Sequence, residues 1–385
     1  MMHIRLWFCL LGWIGLAMAA AYGQSSGDGT ATDPNSTNLG SNAPQFSNEF
    51  LKIGVSARAF GMGNAQVAVA EDVSGGYWNP AALAHRDALY YPEVSLMHAS
   101  YFANVASYHY AGFTMPIDSS GDRRFGATII RFGVDDIPNT LQLIEPDGTI
   151  NYDRVQSFSV TDFATLLSYA WRSQWVKGLN FGVNMKIIYR GFGNFGNGWG
   201  FGLDAAAHYQ RGPFRAGLVL LDATNTFNAF TFNSETFGEA FVNTGNAVAE
   251  TSLELTRPTI RLGAGYEFKL AQKLTLLTAV DLDVFTDGAR SSALVKGGAF
   301  SLDPKVGLEL AYLNSQYRKV AFVRLGAYNI QNITNLDGQD AVGVFPTGGV
   351  GLVLRNFQID YALANIGNLA QNLHSHVVSL KFHIQ

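Results

Sequence analysis

The sequence predicts an all-β fold, a transmembrane outer-membrane β-barrel of about 14 antiparallel strands. Downstream of the N-terminus, apolar and polar residues alternate with period two in many separate runs, the signature of strands with one greasy face. Charged residues make up 15% of the chain, against roughly 25% in soluble domains, while aromatics reach 13% and glycine counts 41. The connections between the runs alternate between short and long, as they do between the two rims of an outer-membrane barrel.

The N-terminus reads as an export signal over residues 1–23. Arg5 supplies a short basic region, Leu6 to Leu16 is apolar, and Ala21-Tyr22-Gly23 offers a small-residue cleavage site. Cys9, the single cysteine, lies inside this signal. The mature chain is therefore expected to hold no disulfide, cysteine-based metal site or cysteine nucleophile. Residues 24–46 are rich in Ser, Gly, Asn, Thr, Asp and Pro and read as a flexible leader.

Residues 50–84 read FLKIGVSARAFGMGNAQVAVAEDVSGGYWNPAALA. The elements Ala57-Arg58-Ala59, Gly61-Met62-Gly63, Ala68 to Asp72 and Trp78-Asn79-Pro80-Ala81 resemble the PorV/PorQ family of outer-membrane proteins, associated with type IX secretion in Bacteroidota. More distantly they resemble the FadL family of hydrophobic-compound transporters. The likeness continues weakly through Gly200 to Asp204, Pro258 to Tyr266, Asp360-Tyr361 and His376 to Phe382. The segments after the Met-Gly pair and around Asn-Pro-Ala depart in detail from the best-known secretion members. The resemblance implies a FadL-like fourteen-stranded barrel with an N-terminal hatch in the lumen, here residues 47–88, ahead of a barrel over 89–385. Its hatch motif falls on Arg58, Gly61, Met62, Gly63, Asp72, Asn79, Pro80 and Ala81. The residues suit a hatch. The glycines permit tight packing, and Asn79-Pro80 has the form of a helix start with Asn79 as N-cap. The alternative is that 50–84 forms the first strand and turn of the barrel, with Gln66 to Ala70 pairing as a strand.

The alternating runs place strands near 93–101, 104–116, 124–134, 160–172, 179–190, 199–210, 213–222, 257–268, 273–285, 303–314, 319–329, 345–354, 356–364 and 376–385. In the fifth, Leu179, Phe181, Val183, Met185, Ile187 and Tyr189 alternate with Asn180, Gly182, Asn184, Lys186, Ile188 and Arg190. The polar face is Gly, Asn, Ala and isolated charges of both signs, which suits a crowded interior better than the open surface of a soluble sandwich. Lys186, Arg190, Asp204, Asp281, Asp283, Arg324, Asp360 and Lys381 are expected to point into the lumen, and Phe181, Leu282 and Phe382 toward lipid. If both chain ends face the periplasm, the connections 117–123, 173–178, 211–212, 269–272, 315–318 and residue 355 are periplasmic turns. The opposite set, 102–103, 135–159, 191–198, 223–256, 286–302, 330–344 and 365–375, is mostly long. Closure requires the last strand to pair with the first, which removes every exposed edge in the bilayer.

Enzymatic chemistry is not indicated. The sequence lacks G-x-S-x-G, H-E-x-x-H, a P-loop and a dinucleotide fingerprint. Gly191 to Gly202 is read as an outer loop. Asp281 and Asp283 share one face and are read as ion-pair partners of Lys186, Arg190, Arg261 or Arg324 rather than as an acid pair. Arg58 is expected to meet a lumenal carboxylate such as Asp281. His374-x-His376 would share a strand face, but no metal or cofactor is assigned. A net charge of -4 and the absence of a Lys/Arg cluster argue against nucleic acid. The expected partners are outer-membrane lipids together with one of two cargo classes. In the first, favoured by the family resemblance, the barrel docks or hands on exported proteins or a translocon. In the second it is a hatch-gated channel for a hydrophobic ligand.

Overall fold

A computed structural model describes residues 47–85, 91–101, 105–145, 147–233, 236, 251–290, 293–334, 340–364 and 375–384. The expected signal and leader lie outside these residues, as do His374 and the connections 102–104 and 365–374.

The chain forms a closed antiparallel barrel of 14 strands. They are β1 (Glu93–Tyr101), β2 (Ala106–Pro116), β3 (Arg123–Asn139), β4 (Gln156–Arg172), β5 (Leu179–Phe192) and β6 (Gly196–Arg211). Two interrupted strands follow: β7 (Phe214–Leu221, resumed as Thr226–Phe232) and β8 (Thr251–Thr256, resumed as Thr259–Ala271). The rest are β9 (Leu274–Phe285), β10 (Ser301–Leu313), β11 (Lys319–Thr334), β12 (Asp340–Leu354), β13 (Phe357–Ala364) and β14 (Ser375–His383). Each pairs with its sequence neighbours. β14 closes the wall on β1 from Glu93↔His383 to Ser100↔His376, so no edge is left in the bilayer. The expected connection 223–256 is corrected: Thr226–Phe232 and Thr251–Thr256 continue β7 and β8, which the alternation ended early because Asp222–Asn225, with Asp222 and Asn225 at positive φ, shifts the register of β7 on β6, and Pro258 breaks β8.

Alternation along the strands separates an inner from an outer face. In β5 the even-numbered residues from Asn180 to Ile188 are buried, while Val183 and Ile187 are exposed. The outer face carries aromatic neighbours at both ends, Trp171 on Phe181 and Tyr189 on Trp199, with ring centroids 5.9 and 4.9 Å apart. A closed fourteen-stranded barrel with this apolar exterior is a bacterial outer-membrane protein. One rim is formed by tight turns, such as Gly212-Pro213 and Arg355-Asn356. The other carries the longer connection 140–155 and is called the loop end below.

Several strands run past their expected ends toward the loop end. β3 reaches Asn139 where the alternation stops at 134, because Asp136 enters the left-handed region (φ 57) and the register slips between Val134 and Ile137. β11 slips likewise between Tyr328 and Gln331, with Asn329 at φ 52. A bulge inverts the phase of the alternation, so the continuing strand no longer looks like one. The reading of Gly191 to Gly202 as an outer loop is corrected. Only Gly193 to Phe195 forms the turn, and Gly196, Gly198, Gly200 and Gly202 are inward positions of β6. A side chain on the latter three would strike Phe230, Asn228 and Thr226 of β7.

Candidate functional site: the filled lumen

Residues 47–85 carry two short α-helices, α1 (Ala57–Gly61) and α2 (Gly75–Trp78), and two 3-10 turns, Glu49–Lys52 and Pro80–Ala84. Residues 54–70 and 73–85 are buried throughout. Gln66 to Ala70 forms turns, with Val69 and Ala70 N–H groups donating to Gln66 O, and makes no strand pairing. The Pro80–Ala84 turn is started by Asn79, whose Oδ1 accepts from Ala81 N at 3.1 Å, with Pro80 in the first turn. Asn79 Nδ2 donates to Val67 O (2.8 Å) and to Ala207 O of β6 (3.2 Å).

The inner wall is shaped to receive this segment. Cβ atoms on Gly307 and Gly326 would collide with the Met62 backbone, and one on Gly349 would crowd Gly61. Gly182 clears Pro80-Ala81, while Gly217 and Gly263 clear Val67. Gly63 sits at φ +60 with its Cα facing the backbone of Ala327 and Val306, a position that admits no side chain.

Charge pairing dominates the side of the lumen under β8–β14. Arg58 binds Glu309 of β10 with two bonds, at 2.8 and 3.0 Å, and donates to Val69 O at 3.0 Å. Glu309 also accepts from Arg324 Nε at 2.7 Å, and Arg324 reaches Asp360 at 2.6 Å. A continuous chain thus runs from the segment through β10 and β11 to β13. The expected pairing of Arg58 with Asp281 is corrected. Asp281 Oδ2 accepts the backbone N–H groups of Gln66 and Val67 at 2.6 and 2.8 Å, which leaves Arg58 to Glu309. Asp283 pairs with Arg261 (3.2 Å) and Lys305 (2.5 Å). Lys186 pairs with Asp204 (2.8 Å) and Asp222, and Arg190 with Asp162 (3.0 Å).

Asp72 meets Lys381 of β14 at 3.0 Å and accepts from the Ser74 N–H and hydroxyl. Burial opposes its ionisation, but Lys381 and Arg58 outweigh that and hold the carboxyl well below its ordinary range. Glu93 accepts from Val73 N at 2.9 Å. The eight charges expected inside therefore sit on the inner face, each as an ion pair or backbone acceptor. Sequence reading missed Glu309, Lys305 and Glu93. The signal for Glu309 was present, since it is the polar residue between Leu308 and Leu310 on an alternating strand.

Under β1–β5 an apolar contact stands beside polar ones: Asn184 donates to Gly76 O at 2.9 Å and Arg172 to Ala84 O at 3.0 Å. Phe50, Phe60, Tyr77 and Trp78 pack with Met97, Tyr101, Tyr108, Ile130, Leu166 and Ile188 in one buried cluster. Tyr101 and Tyr108 meet edge to face at 6.4 Å, and Phe132 lies 6.3 Å beyond Tyr108. The Tyr108 hydroxyl is buried with no hydrogen-bond partner among the described residues. At the loop end this cluster meets a cavity of about 330 Å³, lined by Ile53, Phe60, Tyr101, Phe285 and Tyr328 and by charges of both signs, Lys52, Arg290 and Lys305 with Glu49, Asp283 and Asp303.

No protein-family model and no curated protein matches the chain. Among solved structures it is similar to the toluene transporter TbuX of Ralstonia pickettii, at 13% identity and TM-score 0.50, over 86% of this chain and 99% of that one. It is similar to the toluene transporter TodX of P. putida at 13% identity and TM-score 0.51, over 86% and 99%. A Pseudomonas aeruginosa FadL homologue aligns at 10% identity and TM-score 0.49, over 88% and 98%. At such identities the likeness is one of fold, shared with TbuX and TodX. The resemblance to the secretion-associated PorV/PorQ family finds no counterpart in these comparisons.

Proposed function

We propose that the barrel passes small hydrophobic molecules across the outer membrane, with residues 47–85 as the hatch that closes it. The observation that carries this reading is the apolar seam between hatch and wall. It runs from the loop-end cavity past Phe60 and Tyr101 to Tyr108 and Phe132. An apolar solute gains roughly 25 cal/mol per Å² of surface taken out of water along these side chains. The names of TbuX and TodX, both toluene transporters, support the same solute class. Ion pairs hold the hatch under β10–β14 and hydrogen bonds from Asn184 and Arg172 hold it under β4 and β5, so the aromatic contact of Phe60 with Tyr101 and Tyr108 is the part that can open without breaking an ion pair.

The test is uptake of radiolabelled toluene by outer-membrane-bearing cells that lack a hydrocarbon channel of their own. Expression of the chain should speed uptake of toluene and not of glucose. Phe60→Asp, which sets a carboxylate in the seam, should lower toluene uptake at least about tenfold while the barrel stays heat-modifiable in gels. Equal uptake with and without the chain would exclude the channel. The protein-handling role suggested by the 50–84 motif would then be pursued through proteins bound at the loop end.

A further inference from the structure

Outside the barrel, one stretch of wall departs from the apolar pattern. On β5 the outward residues run Phe181, Val183, Met185, Ile187 and Tyr189, whereas on β1 only Val94 and Leu96 precede His98. His98 stands directly opposite His109 of β2, and His109 directly opposite Arg131 of β3. All three share the outer face with Leu96 and Ile129, which are 46% and 51% exposed, and not the inner face of Met97 and Ile130. The two imidazoles touch, Nδ1 to Nδ1 at 3.4 Å.

Arg131 leans toward the loop end. A Cβ on Gly133 would lie 3.0 Å from its guanidinium, and Nη1 donates to Ser107 Oγ at 3.4 Å, so the charge lies over the next row toward the loops. Its hydrogen-bond partner is that hydroxyl, and no carboxylate forms an ion pair with it among the described residues. Asp135, the next outward carboxylate along β3, stands beyond the last β2–β3 pair, Ala106↔Val134. A permanent cation facing lipid with no anion of its own requires one from outside the chain.

We infer that His98, His109 and Arg131 form a binding site on the barrel exterior for the phosphate of a phosphorylated glycolipid in the outer leaflet. Arg131 supplies the charge and the planar donor fork, and the imidazole pair, joined Nδ1 to Nδ1, supplies one Nε2–H donor at the same level.

The test uses the full mature chain in nanodiscs of phosphatidylcholine alone, or with added lipid A or added phosphatidylglycerol. The readout is the temperature at which the heat-modifiable gel shift is lost. Lipid A should raise that midpoint by several degrees, phosphatidylglycerol by less, and inorganic phosphate not at all. The double variant His109→Leu, Arg131→Leu should be at least as stable as wild type in phosphatidylcholine, which shows that it folds, and should lose the rise with lipid A. An equal rise in variant and wild type overturns the site. An equal rise with phosphatidylglycerol overturns the glycolipid. A change of oligomeric state in the variant overturns it in favour of a contact between barrels.

Discussion

Against β1–β5 the segment 47–85 lays Phe60, Tyr77 and Trp78. Against β10–β13 it lays Arg58 and the backbone of Gly61 to Gly63. Both sides bury their groups almost completely, yet they hold the segment by different physics. The ionic side is directional, and each partner depends on the next, since Glu309 serves both Arg58 and Arg324. The aromatic side is area-dependent, and its rings can slide or part without stranding a charge. On this contrast the ionic side fixes segment 47–85 in place and the aromatic contact is the part that can yield.

The ionic side breaks most sharply at Glu309. Glu309→Ala would leave Arg58 and Arg324 buried without their shared anion and should cost about 3–5 kcal/mol. Denaturant unfolding in detergent measures this, and a cost within about 0.5 kcal/mol would mean that the pairs do not hold the segment. Acid attacks the same side more gently. The carboxyl of Asp72 is held below its ordinary value of 3.8, so its contribution is fully present above that value and is lost as pH falls through the lower folded value. The contribution of Asp72 should therefore stay constant between about pH 7 and 5, and below about pH 4 Asp72→Asn should flatten part of the acid loss. A difference between the slopes of Asp72→Asn and wild type near neutrality would refute the pairing with Lys381.

Asn79 lies between the two sides. Asn79→Ala removes the bond to Ala81 N and the bridge to Val67 O, and should cost about 1 kcal/mol. The aromatic side should give the smallest response. Tyr108→Phe deletes a buried hydroxyl with no partner among the described residues, so the barrel should be unchanged or stabilised by up to about 1 kcal/mol. A loss of more than about 1 kcal/mol would show that this side too relies on a polar contact.

The barrel was legible because lipid outside and a packed lumen inside force strict alternation, as in Leu179 to Arg190. It became illegible where a bulge inverted the phase, at Asp136 and Asn329, and where glycine took the inward positions of β6, since glycine gives no hydropathy signal of its own. Inward charges such as Lys186 and Asp360 could be read from their strand position. Their partners could not. Arg58 meets Glu309 across 251 residues of sequence, a pairing fixed by which strands face the segment inside the closed barrel. The candidate solute seam was hidden for the same reason, because Phe60 and Tyr108 lie on different elements whose meeting depends on closure.

The central claim is that residues 50–84 close the lumen, and single-channel recording in planar bilayers tests it most directly. Wild-type protein and a variant lacking residues 50–84 would be compared after both are shown to be heat-modifiable. The deletion should conduct in large, steady steps where the wild type is silent or nearly so. Equal conductance from the two folded proteins would contradict the claim.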